Sequence, residues 1–205
     1  MKTLIAVPCM DQVPAQFCQS LAMLKKVGEC AIAFQVGSLI YTSRDNLSKK
    51  AVSMGADYIF WLDSDMVFEP DILIRMMDEI EPDTILTGLY FRRSAPFSPV
   101  LFEKLEMTDK GCEWTDFKEI PDKPFEVGGC GFGCVLMPTD AILSVVLQHT
   151  HMFNPMNGVG EDLAFCWRAR QSGYKIICDP QIKLGHVGHT VIDENFYLTY
   201  KENKK

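Results

Sequence analysis

Tyr58-Ile59-Phe60-Trp61-Leu62 is apolar at every position and runs straight into Asp63-Ser64-Asp65-Met66. Five apolar residues without polar alternation describe a strand buried on both faces, as inside a sheet covered by helices. Ligands of open α/β sheets gather at the carboxyl ends of strands. This strand delivers two carboxylates to that end, with one residue between them. Two such acids repel each other unless a cation joins them. Hard divalent ions take carboxylate oxygens and leave positions open for phosphate oxygens. The stretch therefore reads as an Asp-x-Asp site for a metal ion and a nucleoside diphosphate. The plainer alternative is a polar turn in which one Asp caps the segment that follows.

The flanking sequence alternates strand and helix. Thr3 to Val7 is an apolar run ended by Pro8, and Pro14 sits where a first helical turn tolerates it. Phe17, Leu21 and Leu24 follow at helical spacing, and Cys30 to Val36 reads as a second strand. Ile40 to Thr42 is strand-like, and Ser43 is placed to cap a helix carrying Leu47, Ala51 and Met54, closed by Gly55. After the Asp-x-Asp strand, Glu69-Pro70-Asp71 opens a helix with Ile72, Leu73, Met76, Met77 and Ile80 on one side. Ile85 to Tyr90 is a fourth strand. This rhythm predicts a mainly parallel sheet with right-handed crossovers. Beyond Arg93 the rhythm turns irregular, with β-like pieces such as Val100 to Glu103 and a firmer strand from Phe132 to Met137. A helix from Thr139 through Leu147, a loop over 149–160, a helix from Glu161 to Ser172 and a last strand from Tyr174 to Cys178 complete the reading.

Composition limits the function classes. With 205 residues, 47% of them apolar and 23% charged, the chain has the makings of one globular domain. The net charge of -7 argues against nucleic-acid binding, which needs a basic face. No apolar run has the length of a bilayer crossing. The start, Met1-Lys2-Thr3-Leu4, reads as a first strand rather than a secretory signal. The eight cysteines form no Cys-x-x-Cys and read as free, mostly buried thiols, which points to a cytoplasmic protein.

Other groups carry chemistry. Gly158-Val159-Gly160-Glu161-Asp162 opens a helix with two acids, which suit the helix dipole and equally suit a general base. Gly185-His186-Val187-Gly188-His189 sets a His at a strand end, a plausible third metal ligand, with His186 favoured over His189 because it lies nearer the strand. Arg44 can take a phosphate and Asn46 can bond a base or ribose, although Ser43-Arg44-Asp45-Asn46 alone is a helix start. Gly128-Gly129-Cys130-Gly131-Phe132-Gly133 lets backbone approach a ligand, or forms a bulge. Arg92 and Arg93 leave the fourth strand together, placing one within reach of an anion.

In order, these pieces resemble family-2-type glycosyltransferases of the GT-A fold. The resemblance is carried by Val7-Pro8, Arg44-Asp45-Asn46, Leu62-Asp63-Ser64-Asp65-Met66, the Gly-rich segment before Leu136, and Gly160-Glu161-Asp162 with Trp167-Arg168. It implies a single Rossmann-like α/β domain with helices on both faces of the sheet. Residues 1–93 would form the nucleotide-binding half, 94–192 the acceptor-binding and catalytic half, and 193–205 a polar tail. It implies a UDP- or GDP-sugar donor, a glycan or other hydroxyl acceptor, and Mn²⁺ or Mg²⁺. Pro8, Arg44, Asn46, Asp63, Ser64 and Asp65 would meet the donor. Asp65, Asp63 and His186 would meet the metal, Asp65 most directly and Asp63 nearer the ribose. Asp162 would be the base in an inverting reaction, beside Glu161. The sequence lacks the Gln-x-x-Arg-Trp segment, which favours single-sugar addition over polymer synthesis.

Two rivals share part of the pattern. A haloacid-dehalogenase-type phosphatase would use Asp63 as nucleophile, but its Asp-x-Asp normally follows the first strand, and no Gly-Asp-x-x-x-Asp is present. Phosphate release from a monoester would identify it. A non-catalytic module would bind nucleotide or glycan without turnover.

Overall fold

The computed structural model describes residues 1–109, 111–188 and 191–203. The first half contains β1 (Lys2–Cys9), α1 (Ala15–Met23), β2 (Glu29–Val36), α2 (Ile40–Ser53), β3 (Tyr58–Leu62), β4 (Met66–Val67), α3 (Ile72–Glu79) and β5 (Thr84–Leu89). The second contains β6 (Leu101–Thr108), β7 (Gly111–Asp116), β8 (Phe125–Glu126), β9 (Gly129–Cys130), β10 (Cys134–Pro138), α4 (Thr139–His149), α5 (Glu161–Gln171), β11 (Lys175–Lys183), β12 (Gly185–Val187), β13 (Val191–Ile192) and α6 (Glu194–Glu202).

A seven-stranded sheet in the order β2-β1-β3-β10-β5-β11-β8 forms the centre. The architecture is α/β, but the sheet is mixed rather than mainly parallel. β2, β1 and β3 run parallel, and β11 runs parallel to β5. β10 lies antiparallel between β3 and β5, and β8 is antiparallel to β11. The reason is the excursion through β6–β9. It returns the chain to the carboxyl ends of β3 and β5, where Cys134 pairs with Leu62. The next strand must therefore run the other way. The same insertion interleaves the two expected halves of the chain in one sheet. Two three-stranded sheets, β13-β12-β4 and β7-β6-β9, flank this end.

Alternate residues of the central strands feed two cores. Leu4, Ala6, Ile59, Trp61, Val135 and Met137 pack with α2, α4 and α5. Ile5, Val7, Phe60, Leu62, Cys134 and Leu136 pack with α1 and α3. Helices thus cover both faces, which is why Tyr58–Leu62 carries no polar alternation. Full burial of Phe60 or Leu62 contributes about 1.5–3 kcal/mol each.

Three expected features differ. Ile40 to Thr42 is the first turn of α2, not a strand, and Ser43 lies inside the helix, its hydroxyl 2.6 Å from Ser38 Oγ. β2 has already ended at Val36, so these residues have no strand neighbour to join. The strand expected to finish at Cys178 continues to Lys183, with its register broken between Asp179 and Lys183, and β12 and β13 follow. Most of the expected polar tail is α6, capped by Asp193, whose Oδ1 accepts from the Phe196 amide at 2.8 Å. All eight cysteines are unpaired and five are buried. No helix among the described residues is long and apolar enough to cross a membrane.

Candidate functional site

Asp63, Ser64 and Asp65 form the tight connection between β3 and β4. The Asp63 amide donates to the Gly133 carbonyl at 3.1 Å, and the Met66 amide closes the turn on the Asp63 carbonyl at 3.2 Å. The turn is clamped from the far side as well, where the Val187 amide donates to the Asp65 carbonyl at 2.7 Å. A cavity of about 300 Å³ opens over it, lined by Pro8, Cys9, Met10, Ser38, Ile40, Ser43, Asp63, Ser64, Asp65, Arg93 and His186. A larger hollow of about 530 Å³ lies on the β6–β7 hairpin around Trp114 and holds none of the acids of the Asp-x-Asp turn. The grouping of titratable side chains, rather than volume, selects the smaller cavity.

The two acids of the turn have different partners. Asp65 Oδ2 is 2.9 Å from Arg93 Nη1 and 3.4 Å from His186 Nε2. Burial alone would raise its carboxyl, but His186 and Arg93 outweigh burial and hold it below the ordinary value. His186 Nδ1 lies 2.9 Å from the Phe91 carbonyl, which can only accept, so the Nδ1 proton is directed there. In the neutral ring Nε2 then turns a lone pair toward a carboxylate oxygen, and a proton or a cation between them removes the conflict.

Asp63 turns instead to Arg44, with Nη2 donating to Oδ1 at 2.9 Å, while Arg44 Nε donates to Glu161 Oε1 at 3.2 Å. Arg44 is 2% exposed, its guanidinium centre 5.7 Å from the Trp61 ring and 5.2 Å from the Phe132 ring. Its Nη1 is buried without a hydrogen-bond partner. Desolvation works against its charge, and Asp63, Glu161 and Asp162 together more than restore it. Desolvation raises the Asp63 carboxyl, Arg44 pulling it back and Asp65 pushing it further up.

Glu161 and Asp162 open α5 behind this pair. Asp162 Oδ1 accepts from the Leu163 amide at 2.7 Å. Burial, helped by the Glu161 charge, pushes its pKa up to about 6, against the pull of that amide and of Arg44. A carboxylate tuned there is ionised at neutral pH and still basic enough to take a proton.

The sequence-predicted residues therefore divide. Pro8, Asp63, Ser64, Asp65 and His186 share one cavity. Glu161 and Asp162 are not among its lining residues; Glu161 is joined to Asp63 through Arg44, and Asp162 follows it on α5. Asn46 is exposed on α2 and is not among the residues lining the cavity, and Arg44 is an internal strut rather than a surface cation. Arg93, not Arg44, is the cation that the cavity presents. His189 falls outside the described residues. Among the described residues no three His, Cys, Asp or Glu side chains converge as a ready metal cage. The Gly-rich segment makes room for Tyr90. A Cβ at Gly131 would lie 2.2 Å from Tyr90 Oη, and one at Gly133 would lie 2.7 Å from Tyr90 Cζ. Tyr90 in turn meets the His186 ring edge-to-face at 5.8 Å. Sequence reading missed Tyr90 and Phe91. Their only signal was position, at the end of β5, which β10 separates from the Asp-x-Asp strand.

The fold resembles that of A197 from STIV. The two share 19% identity over 95% of each chain, with a TM-score of 0.66. No family model matches the sequence, and no curated protein matches it either.

Proposed function

We propose that this chain is a metal-dependent glycosyltransferase of the hexosyltransferase type. It moves a sugar from a UDP- or GDP-sugar to a hydroxyl of a glycan or other acceptor, on a GT-A-type α/β domain. One observation carries the reading: Asp65 Oδ2 and His186 Nε2 face each other at 3.4 Å beside Arg93, in a cavity at the end of the Asp-x-Asp strand.

The donor atoms fit a divalent ion. The Phe91 carbonyl orients the imidazole from behind, as outer partners of metal-binding histidines do. A mixed carboxylate and imidazole set suits Mn²⁺ better than the harder Mg²⁺. Asp65 and His186 would hold the ion, and when bound it would supply Lewis-acid stabilisation of the departing diphosphate. Asp63, with one oxygen on Arg44, keeps the other for a ribose hydroxyl or water. Arg93 offers a guanidinium to the diphosphate oxygens. Asp162 accepts the proton of the attacking acceptor hydroxyl in an inverting reaction, and Glu161 anchors the start of α5 to Arg44.

Phosphorus NMR of the protein with UDP- and GDP-hexoses, with and without Mn²⁺, tests this. The expected result is release of one nucleoside diphosphate, lost in Asp65→Ala and slowed in Asp162→Asn. Release that ignores both substitutions would overturn the assignment. A second reading, a nucleotide- or glycan-binding module without turnover, draws support from the pairing of Asp63 with Arg44 rather than with Asp65 and His186. Binding without release from any donor would favour it.

A further inference from the structure

α6 follows directly from the strand that pairs with His186. Ile192 of β13 stands opposite His186 of β12, and Asp193, the next residue, caps the helix. No residue of α6 is buried, and none lines the cavity over the Asp-x-Asp turn. The helix meets the domain through aromatic rings and through the ion pair of Glu194 with Lys183. The Tyr197 ring stacks on Phe91, with centroids 4.7 Å apart and planes 20° from parallel. Phe196 and Tyr200 close edge-to-face on Phe97 at 5.0 and 4.8 Å.

The two phenylalanines that α6 clasps lie on either side of Arg93. They belong to one narrow hairpin, in which Phe91 bridges to Pro99 and the Arg92 amide donates to the Ser98 carbonyl at 3.0 Å. Arg93 Nη1 reaches Asp65 Oδ2 at 2.9 Å, and the Phe91 carbonyl lies 2.9 Å from His186 Nδ1. Both side chains that meet the Asp65 carboxylate therefore lean on this hairpin. Phe97 has a φ of 53°, a left-handed conformation that a bulky residue keeps only where its surroundings impose it. The Phe196 and Tyr200 rings supply that constraint.

We propose that Tyr197 is a positioning residue for the Asp65–His186 site, acting through Phe91 and the hairpin rather than by covering the cavity. Stacked on Phe91, it keeps the Phe91 carbonyl on His186 Nδ1. With Phe196 and Tyr200 on Phe97, it keeps Arg93 on Asp65. The inference rests on the metal site proposed above and adds a support that lies outside the cavity. Outer partners that orient a metal-binding histidine matter nearly as much as the ligands, and their loss costs about 10–100-fold in metal affinity. Because α6 buries none of its own residues, its grip can be removed while both cores of the domain stay intact.

Two readouts on the full chain test this. One is residue-resolved hydrogen exchange of the metal-free protein, followed at the Arg92 amide and at the Val187 amide, which donates to the Asp65 carbonyl. The other is the affinity for Mn²⁺ alone, from the electron paramagnetic resonance signal of the free ion. Tyr197→Ala should lose protection at Arg92 and Val187 while the amides of β1 and β3 stay protected, and should weaken Mn²⁺ binding about tenfold. Tyr197→Phe keeps the stacked ring and should restore both. Leu198→Ala, at an exposed position of the same helix, should change neither. Unchanged exchange at Arg92 and Val187 in Tyr197→Ala overturns the proposal. So does an unchanged Mn²⁺ affinity, a failure of Tyr197→Phe to restore it, or an equal loss in Leu198→Ala. An unmodified protein that binds no Mn²⁺ refutes the metal site itself, and exchange at the two amides then decides the grip of α6 on its own.

Discussion

Arg44 Nη2 lies 2.9 Å from Asp63 Oδ1, so the strut that joins the Asp-x-Asp turn to the start of α5 is an ion pair with a fully buried cation. Removing one partner of such a pair leaves its charges uncompensated, which costs about 3–5 kcal/mol. Arg44→Met should therefore lower stability by about 3 kcal/mol, which is about 6–12 °C in melting temperature for a chain of this size. Urea denaturation of the two proteins measures it. A loss well below 1 kcal/mol would mean that Arg44 is not the strut described.

Asp162 ties stability to pH. Its folded pKa is about 6 against an ordinary 3.8, so the folded state holds this proton more tightly than the unfolded chain. The stabilisation from the protonated group is complete below about pH 4 and is lost as pH rises through 6. Asp162→Asn keeps a neutral side chain at every pH. It should match the unmodified protein near pH 4 and exceed it at pH 8 by up to roughly 3 kcal/mol. Denaturation at the two pH values checks this. Equal differences at both would place the Asp162 pKa near its ordinary value.

The same carboxylate sets the expected rate profile. As a general base it must be ionised, so sugar transfer should rise with pH through about 6. Asp162→Asn should lower turnover by about 10²–10⁴-fold. A flat profile between pH 5 and 8 would remove Asp162 from that role.

Gly131 and Gly133 are predicted to be steric rather than ligand-binding positions. Tyr90 is buried and its Oη accepts from the Gly133 amide at 3.0 Å, so the ring has nowhere to retreat. Gly133→Ala should destabilise by about 1–3 kcal/mol, through overpacking. The double variant Gly133→Ala, Tyr90→Phe should recover little of that loss, because the clash is with ring carbon Cζ at 2.7 Å. Melting curves of the single and double variants decide.

The β3 strand and the acids after it were readable because every residue of Tyr58–Leu62 obeys one rule, burial on both faces. The helices at Ala15, Ile72 and Glu161 were readable from apolar spacing and from Pro or Gly at their ends. The antiparallel insertion of β10 was not readable, since nothing local to Cys134–Pro138 records which end of the sheet the chain enters from. α2 starts earlier than Ser43 suggested, because β-branched Ile40 and Thr42 resemble a strand only until one asks what would pair with them. Arg44 shows the same limit at the site. A basic residue at a helix start looks like a phosphate ligand. Only the fold brings Glu161, 117 residues away, to its Nε and encloses it between Trp61 and Phe132. α6 was hidden by its polar residues, yet Phe196 and Tyr197 pack on Phe97 and Phe91.

Asp65 and His186 are proposed to hold a metal ion for a nucleotide. The most direct measurement is the melting temperature with UDP, GDP, CMP and ADP, each with and without Mn²⁺, on the unmodified protein, Asp65→Ala and His186→Ala. Ligands that bind only the native state raise the melting temperature by mass action. The prediction is a rise with one nucleoside diphosphate that requires Mn²⁺ and disappears in both variants. No rise with any nucleotide, or one unchanged by Mn²⁺ and by both substitutions, would contradict it.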